Sequence, residues 1–160
     1  PNSLNVDPLE VFNNTLSINL TATYSNCEIV KNYMSQSDNG GAIINITSIA
    51  SFIGFPNNPG YVASKGGLMM LTKALAVDYS SKKIRVNNIA PGYIKTSMTE
   101  KSYSNQKSYL IRKNHTILDR WGAPDDLVGA AVFLSSAASN YVTGIDLVID
   151  GGWVAKGINS

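Results

Sequence analysis

Apolar residues recur at steps of three and four through the first part of the chain, at Leu9, Phe12, Leu16, Leu20, Tyr24, Cys27, Val30 and Met34. A stripe of that period predicts one long amphipathic helix with its apolar face turned to a core. Asp7-Pro8-Leu9-Glu10 supplies the start: a capping aspartate, a proline at the first helical position and a glutamate three residues after the cap. The breaker-rich Ser37-Asp38-Asn39-Gly40-Gly41 ends it. The pattern then changes. Ala42 to Ser48 is short, mostly apolar and rich in β-branched residues, which predicts a strand buried on both faces, as in a parallel sheet.

A loop containing Gly54, Pro56, Pro59 and Gly60 leads into a second helix over Tyr61 to Tyr79, with Ala63, Leu68, Leu71, Leu75 and Val77 among its apolar positions. Ile84 to Ala90 reads as a second strand, closed by Pro91-Gly92. Residues 93–118 are polar and weakly periodic, and predict a mobile, substrate-facing segment with one short helix. Pro124-Asp125-Asp126 starts a third helix running through Ala130, Val132, Phe133 and Leu134. Ile145 to Ile149 makes a third strand, ended by Asp150-Gly151-Gly152. Helices and strands alternating in this way indicate one α/β domain with a parallel sheet.

Composition narrows the function without naming it. The 160 residues are 44% hydrophobic and 15% charged, an ordinary globular mixture, and the net charge of +2 is too small to argue for a nucleic-acid or membrane partner. No apolar run reaches bilayer length. The single cysteine, Cys27, excludes an internal disulfide framework and suits a reducing, cytoplasmic setting. Its place on the apolar stripe makes it a small core residue. The only histidine, His115, has no second histidine or carboxylate cluster beside it, so neither a metal site nor a Ser-His-Asp site is expected. It reads as structural or solvent-exposed.

Three residues stand out by position. Ser48 falls at the C-terminal end of the first strand, where ligands gather in open α/β sheets. Tyr61 and Lys65 lie one turn apart at the start of the second helix and share a face. Either a tyrosine-lysine pair or a strand-end serine is commonplace alone. Their joint spacing after a buried strand, with small Ala63, Ser64, Gly66 and Gly67 around them, is not. Oxidising an alcohol with a nicotinamide cofactor needs a base for the hydroxyl proton, and reducing a carbonyl needs an acid. A phenol, with a pKa near ~10, serves when a cation close by favours its ionised form. Lys65 offers that cation, and the Ser48 hydroxyl can hold the substrate oxygen.

Ala42 to Ser48, then Tyr61-Val-Ala-Ser-Lys65-Gly-Gly, then Ile84-Arg-Val-Asn-Asn-Ile-Ala-Pro-Gly92 resemble, in order and spacing, the classical short-chain dehydrogenase/reductase family. Asp150-Gly151-Gly152 resembles that family's C-terminal turn. The resemblance implies that Tyr61 is the acid/base, that Ser48 positions the substrate oxygen and that Lys65 also bonds the nicotinamide ribose. It implies that Asn19 is the fourth catalytic residue, holding a relay water at a helix irregularity. It makes Pro91, Gly92, Ile94, Thr96 and Met98, together with Tyr61 and Lys65, the residues that bind NAD or NADP. It further implies a small alcohol or carbonyl substrate and a homo-oligomer, tetramer or dimer, with the first two helices and the Trp153 region as contact faces. Gly92 is the residue whose missing side chain would let the backbone approach the cofactor.

The glycine-rich phosphate turn of that family does not occur in this sequence. The expected fold is therefore the C-terminal part of a Rossmann-type doubly wound parallel sheet, lacking its first βαβ units. At roughly 30 residues or more per unit, about 90 residues would be missing. An opening on Pro1 rather than Met agrees with a piece of a longer protein. Two other functions share these residues: a non-catalytic binding fragment, and a sugar-nucleotide epimerase or dehydratase using the same tyrosine-lysine chemistry.

Overall fold

A computed structural model describes residues 7–157. Helix α1 (Pro8–Leu16) opens as the sequence predicts, with the Asp7 side chain accepting from the Leu9 amide at 3.0 Å and Pro8 in the first turn. The predicted single long helix is broken internally: Ser17–Thr21 forms a π-helical turn, after which α2 (Ala22–Met34) continues. One extra residue in a turn rotates everything after it relative to the stripe before it. The stripe is accordingly less buried than its period predicts. Only Cys27 is buried, whereas Leu9 is 63% exposed and Tyr24 45%. The run packs on α3 and β1, with Cys27 reaching the Ile43, Ile84 and Val86 cluster.

Strands β1 (Gly41–Ile46), β2 (Ile84–Pro91) and β3 (Asp146–Ile149) form a parallel sheet in the order β1-β2-β3. Helix α3 (Pro59–Asp78) joins the first two. Between β2 and β3 come a 3-10 turn and helices α4 (Glu100–Tyr103) and α5 (Gln106–His115), then α6 (Val128–Ser135). The 93–118 region thus holds two helices rather than one. Their turns close locally: Asn105 caps α5 by accepting from the Ser108 amide at 2.9 Å.

The sheet is covered on both sides at β2. Ile84 and Val86 enter one cluster with Cys27, Ile43, Leu75 and Tyr79, and Ile89 enters the opposite one with Ala130 and Leu134. Alternation along the strand sends even and odd positions to different layers. Among the described residues β1 pairs with β2, and it is less enclosed than a strand buried on both faces, with Ile46 51% exposed. A buried polar chain ties the layers together. Cys27 Sγ lies 3.7 Å from Asn45 Oδ1, Asn45 donates to Thr72 at 2.8 Å, and Thr72 donates to Asn88 Oδ1 at 2.7 Å. Asn88 in turn donates to Asp146 at 2.7 Å, and Asp146 pairs with Lys73. Five elements meet through these side chains.

Candidate active site

Parallel strands end at the same edge of the sheet, and there β1 and β2 deliver their last residues to a common floor. Ser48, two residues beyond β1, caps a 3-10 turn (Ile49–Ser51), its Oγ accepting from the Ala50 amide at 3.1 Å. That bond fixes the oxygen and leaves the hydroxyl proton free to be donated. Pro59 sets the first turn of α3, so Tyr61 stands near the helix N-terminus. One turn later the Lys65 ammonium donates to the carbonyl of Ile46 at 2.8 Å and lies 5.8 Å from the centre of the Tyr61 ring. Burial pushes the Lys65 ammonium below the ordinary lysine value.

Asn19 sits in the middle of the π-helical turn, so the irregularity implied by resemblance falls where it was expected. Its amide donates to Ser64 Oγ at 3.1 Å, and Ser64 donates to the Tyr61 carbonyl at 2.8 Å. Ser64, fully buried, is thus the link between the π turn and the start of α3. The sequence shows it only as a small residue between tyrosine and lysine.

Two cavities meet at this floor. One, of about 340 Å³, is lined by Asn19, Ser48, Tyr61, Lys65 and the 91–99 segment, including Pro91, Gly92, Ile94, Thr96 and Met98. The second, of about 290 Å³, is lined by Phe55, Asn58, Tyr93 and Arg112, and shares Ser48, Tyr61, Gly92 and Thr99 with the first. Every residue that the sequence nominates therefore borders the first cavity. They do not border it equally. Met98 is 88% exposed. The Thr96 hydroxyl lies 3.3 Å from that of Thr99, which also takes the Thr96 amide at 3.0 Å and donates to the Ile94 carbonyl at 2.6 Å. Thr99, not singled out in the sequence, thus holds the shape of this wall.

Gly92 has a nearer reason to be glycine than cofactor approach. A Cβ there would come 2.7 Å from the Cα of Asp150, so the end of β2 packs directly on the turn after β3. Behind the wall lies an aromatic cluster. Tyr93 meets Trp121 and Trp153 at ring distances of 5.4 and 4.7 Å, and His115 lies 4.2 Å from Trp153. His115 thus takes the structural one of the two places its sequence allowed, and Trp153 packs within its own chain. Among the described residues no cluster of metal-ligating side chains occurs, and no helix is long and apolar enough to cross a membrane.

Known proteins share this arrangement. A family model described as enoyl-(acyl carrier protein) reductase matches residues 2–154. The 2-dehydro-3-deoxy-D-gluconate 5-dehydrogenase of Escherichia coli is 36% identical over 145 residues, covering 91% of this chain and 57% of that protein. The crystal structure of a gluconate 5-dehydrogenase from Burkholderia cenocepacia, in complex with NADP and tartrate, superposes with a TM-score of 0.90 at 33% identity, over 96% of this chain and 59% of that one. A 4-hydroxyisoleucine dehydrogenase complexed with NADH gives a TM-score of 0.89 at 36% identity, over 96% and 63%. The chain belongs to the classical short-chain dehydrogenase/reductase family. Its three parallel strands are part of that family's Rossmann-type α/β fold, and it spans 57–63% of the length of these relatives.

Proposed function

We propose that the protein moves hydride between NAD or NADP and a small alcohol or carbonyl substrate, with Tyr61 as the acid/base. The observation that carries this reading is the junction of the two cavities, where the Ser48 and Tyr61 side chains border both. A substrate oxygen at that junction meets two hydroxyls at once. The first cavity suits a nicotinamide and its ribose: it offers donors from Lys65, Tyr61 and Thr96 between the apolar walls of Ile46, Ile94 and Leu127. When bound, the nicotinamide gives or takes the hydride.

The chain's own residues do the rest. Ser48 keeps its oxygen on the Ala50 amide and donates its proton to the substrate oxygen, stabilising charge there as the bond order changes. Tyr61 takes the hydroxyl proton in oxidation and returns it in reduction. Lys65, held on the Ile46 carbonyl, directs its charge toward the Tyr61 ring and is within reach of a ribose hydroxyl. Asn19 steadies the π turn against α3 through Ser64. We assign residues 1–160 to the catalytic, C-terminal portion of a single dehydrogenase domain that works as a homo-oligomer. The exposed apolar residues of α1 and α2, Leu9 and Tyr24 among them, support contact with a second copy.

Tyr61→Phe tests the reading in the full-length protein. Turnover should fall by about 10³-fold or more, while NAD(H) or NADP(H) affinity, read by nicotinamide fluorescence, stays within about twofold. Normal turnover in that variant would refute the acid/base. No detectable binding of either cofactor would refute the oxidoreductase reading as a whole.

A further inference from the structure

Arg112 borders the second cavity, the one that the hydride-transfer reading leaves for the substrate, and nothing above gives it work there. It projects from α5 with its guanidinium 4.8 Å from the centre of the Tyr93 ring. Nη1 donates to the Ser108 carbonyl at 3.1 Å. Nε is buried and, among the described residues, has no hydrogen-bond partner. A buried donor left unpartnered on a cation is costly.

Among the described residues no carboxylate pairs with Arg112. The ion pairs of the described residues join Lys31 to Glu28, Lys73 to Asp146, Lys113 to Asp119 and Arg120 to Asp126, and none includes Arg112. No aspartate or glutamate lines either cavity. The substrate space is therefore walled by Arg112 at one side and Lys65 beyond the shared floor, with no anion of the protein's own between them. Electrostatically this is a space for a negative charge.

We propose that Arg112 binds a carboxylate of the substrate, so that the substrates are small hydroxy acids in oxidation and the matching oxo acids in reduction. The carboxylate docks on Arg112 while the reacting carbinol carbon lies at Ser48 and Tyr61. That carbon gives its hydride to the nicotinamide and its hydroxyl proton to Tyr61, leaving a carbonyl. Cation geometry favours a carboxylate, because a single planar guanidinium is matched by one planar two-oxygen group, and no second cation faces it in this cavity. Which end of the substrate reacts rests on the hydride-transfer reading; capture of the anion does not.

The test compares D-gluconate with D-glucitol and glycerate with glycerol, pairs that differ in a carboxylate, using the full-length protein and either cofactor. The acid of each pair should be preferred in kcat/KM, and Arg112→Met should remove that preference by about 10²-fold, mainly through KM. The same variant should lower use of the neutral partner far less than that of the acid, and Arg112→Lys should recover part of the loss. Calorimetry with gluconate and with inorganic phosphate, which needs no turnover, should show gluconate binding lost in Arg112→Met. Equal use of acid and alcohol by the unaltered protein, equal losses on both in the variant, or phosphate bound as well as gluconate would each overturn the proposal. Arg112-dependent gluconate binding without oxidation of any pair would overturn the hydride-transfer reading and leave the anion site standing.

Discussion

The two sides of the site are built on opposite principles. On the chemical side, Ser48, Lys65 and Asn19 each already hold a protein partner: the Ala50 amide, the Ile46 carbonyl and the Ser64 hydroxyl. These bonds run to a strand end, a strand-end turn and a helix start, so the groups are fixed before any ligand arrives. On the recognition side, the 93–121 wall is held by aromatic packing, with Tyr109 stacked on Trp121 at 6.0 Å and Tyr103 edge-on to the same ring at 6.1 Å. Its cation, Arg112, keeps a buried donor without a partner. On the proposed reading, the chemistry rests on groups mostly anchored to the protein at strand and helix ends, and selectivity on a cation with an unpartnered donor on a short helix. The same step can therefore be kept while the molecule it acts on changes.

Lys65 offers the hardest test of that contrast. Lys65→Ala should lower kcat/KM by about 10²-fold or more on every substrate, acidic or neutral, and also weaken cofactor binding in fluorescence titrations. Arg112→Met should discriminate between substrates where Lys65→Ala does not. A Lys65 variant that loses only thermal stability, from the freed Ile46 carbonyl, would reduce the chemical side to scaffolding.

The buried polar chain beneath the site separates support from chemistry. Asn88 is fully buried, accepts from Thr72 and donates to Asp146, so Asn88→Ala strands a hydroxyl and a carboxylate oxygen together. The expected cost is about 2–3 kcal/mol. For a domain of this size that corresponds to a melting temperature lower by roughly 5–10 °C. Below the new melting temperature the acid-over-alcohol preference should persist. Loss of that preference without loss of stability would mean that the sheet interior sets selectivity directly.

The same contrast explains what the sequence made legible. Ser48, Tyr61 and Lys65 are local features: a strand end, a helix start and one helical turn, each with a spacing that the backbone period fixes. The capping Asp7, the three strands and the second helix were legible for the same reason. The π turn at Ser17–Thr21 leaves no mark on the apolar period, because Leu16 and Leu20 keep helical spacing across it. That is why the predicted stripe was continuous and its burial too high. Arg112 and Thr99 gain their places from packing against Tyr93 and Ile94, and the Cys27-to-Lys73 chain from five elements that meet only in space. No periodicity in the 93–118 segment marks which of its cations will face a cavity.

The smallest expected effect lies at the base of the recognition wall, where Arg120 and Asp126 brace the segment leading to α6. Both guanidinium Nη atoms donate to the Asp126 carboxylate, at 2.7 and 2.6 Å, and the Ala123 amide donates to it at 2.7 Å. The Arg120 guanidinium first, and then the Ala123 amide, hold the Asp126 carboxyl well below the ordinary carboxylate range. A carboxyl whose folded-state value is depressed stabilises the fold above its unfolded value, near ~4, and that contribution drains away as the pH falls through and below it. The pair is open to solvent, so the effect is modest and weakens with salt. In melts from pH 7 down to pH 3, Asp126→Asn should start slightly lower and lose less on acidification than the parent. At pH 7, where the brace is intact in the parent, the acid preference assigned to Arg112 should be smaller in Asp126→Asn if this brace positions α5. A preference unchanged in that variant would place the selectivity of the wall in α5 and its aromatic bed alone.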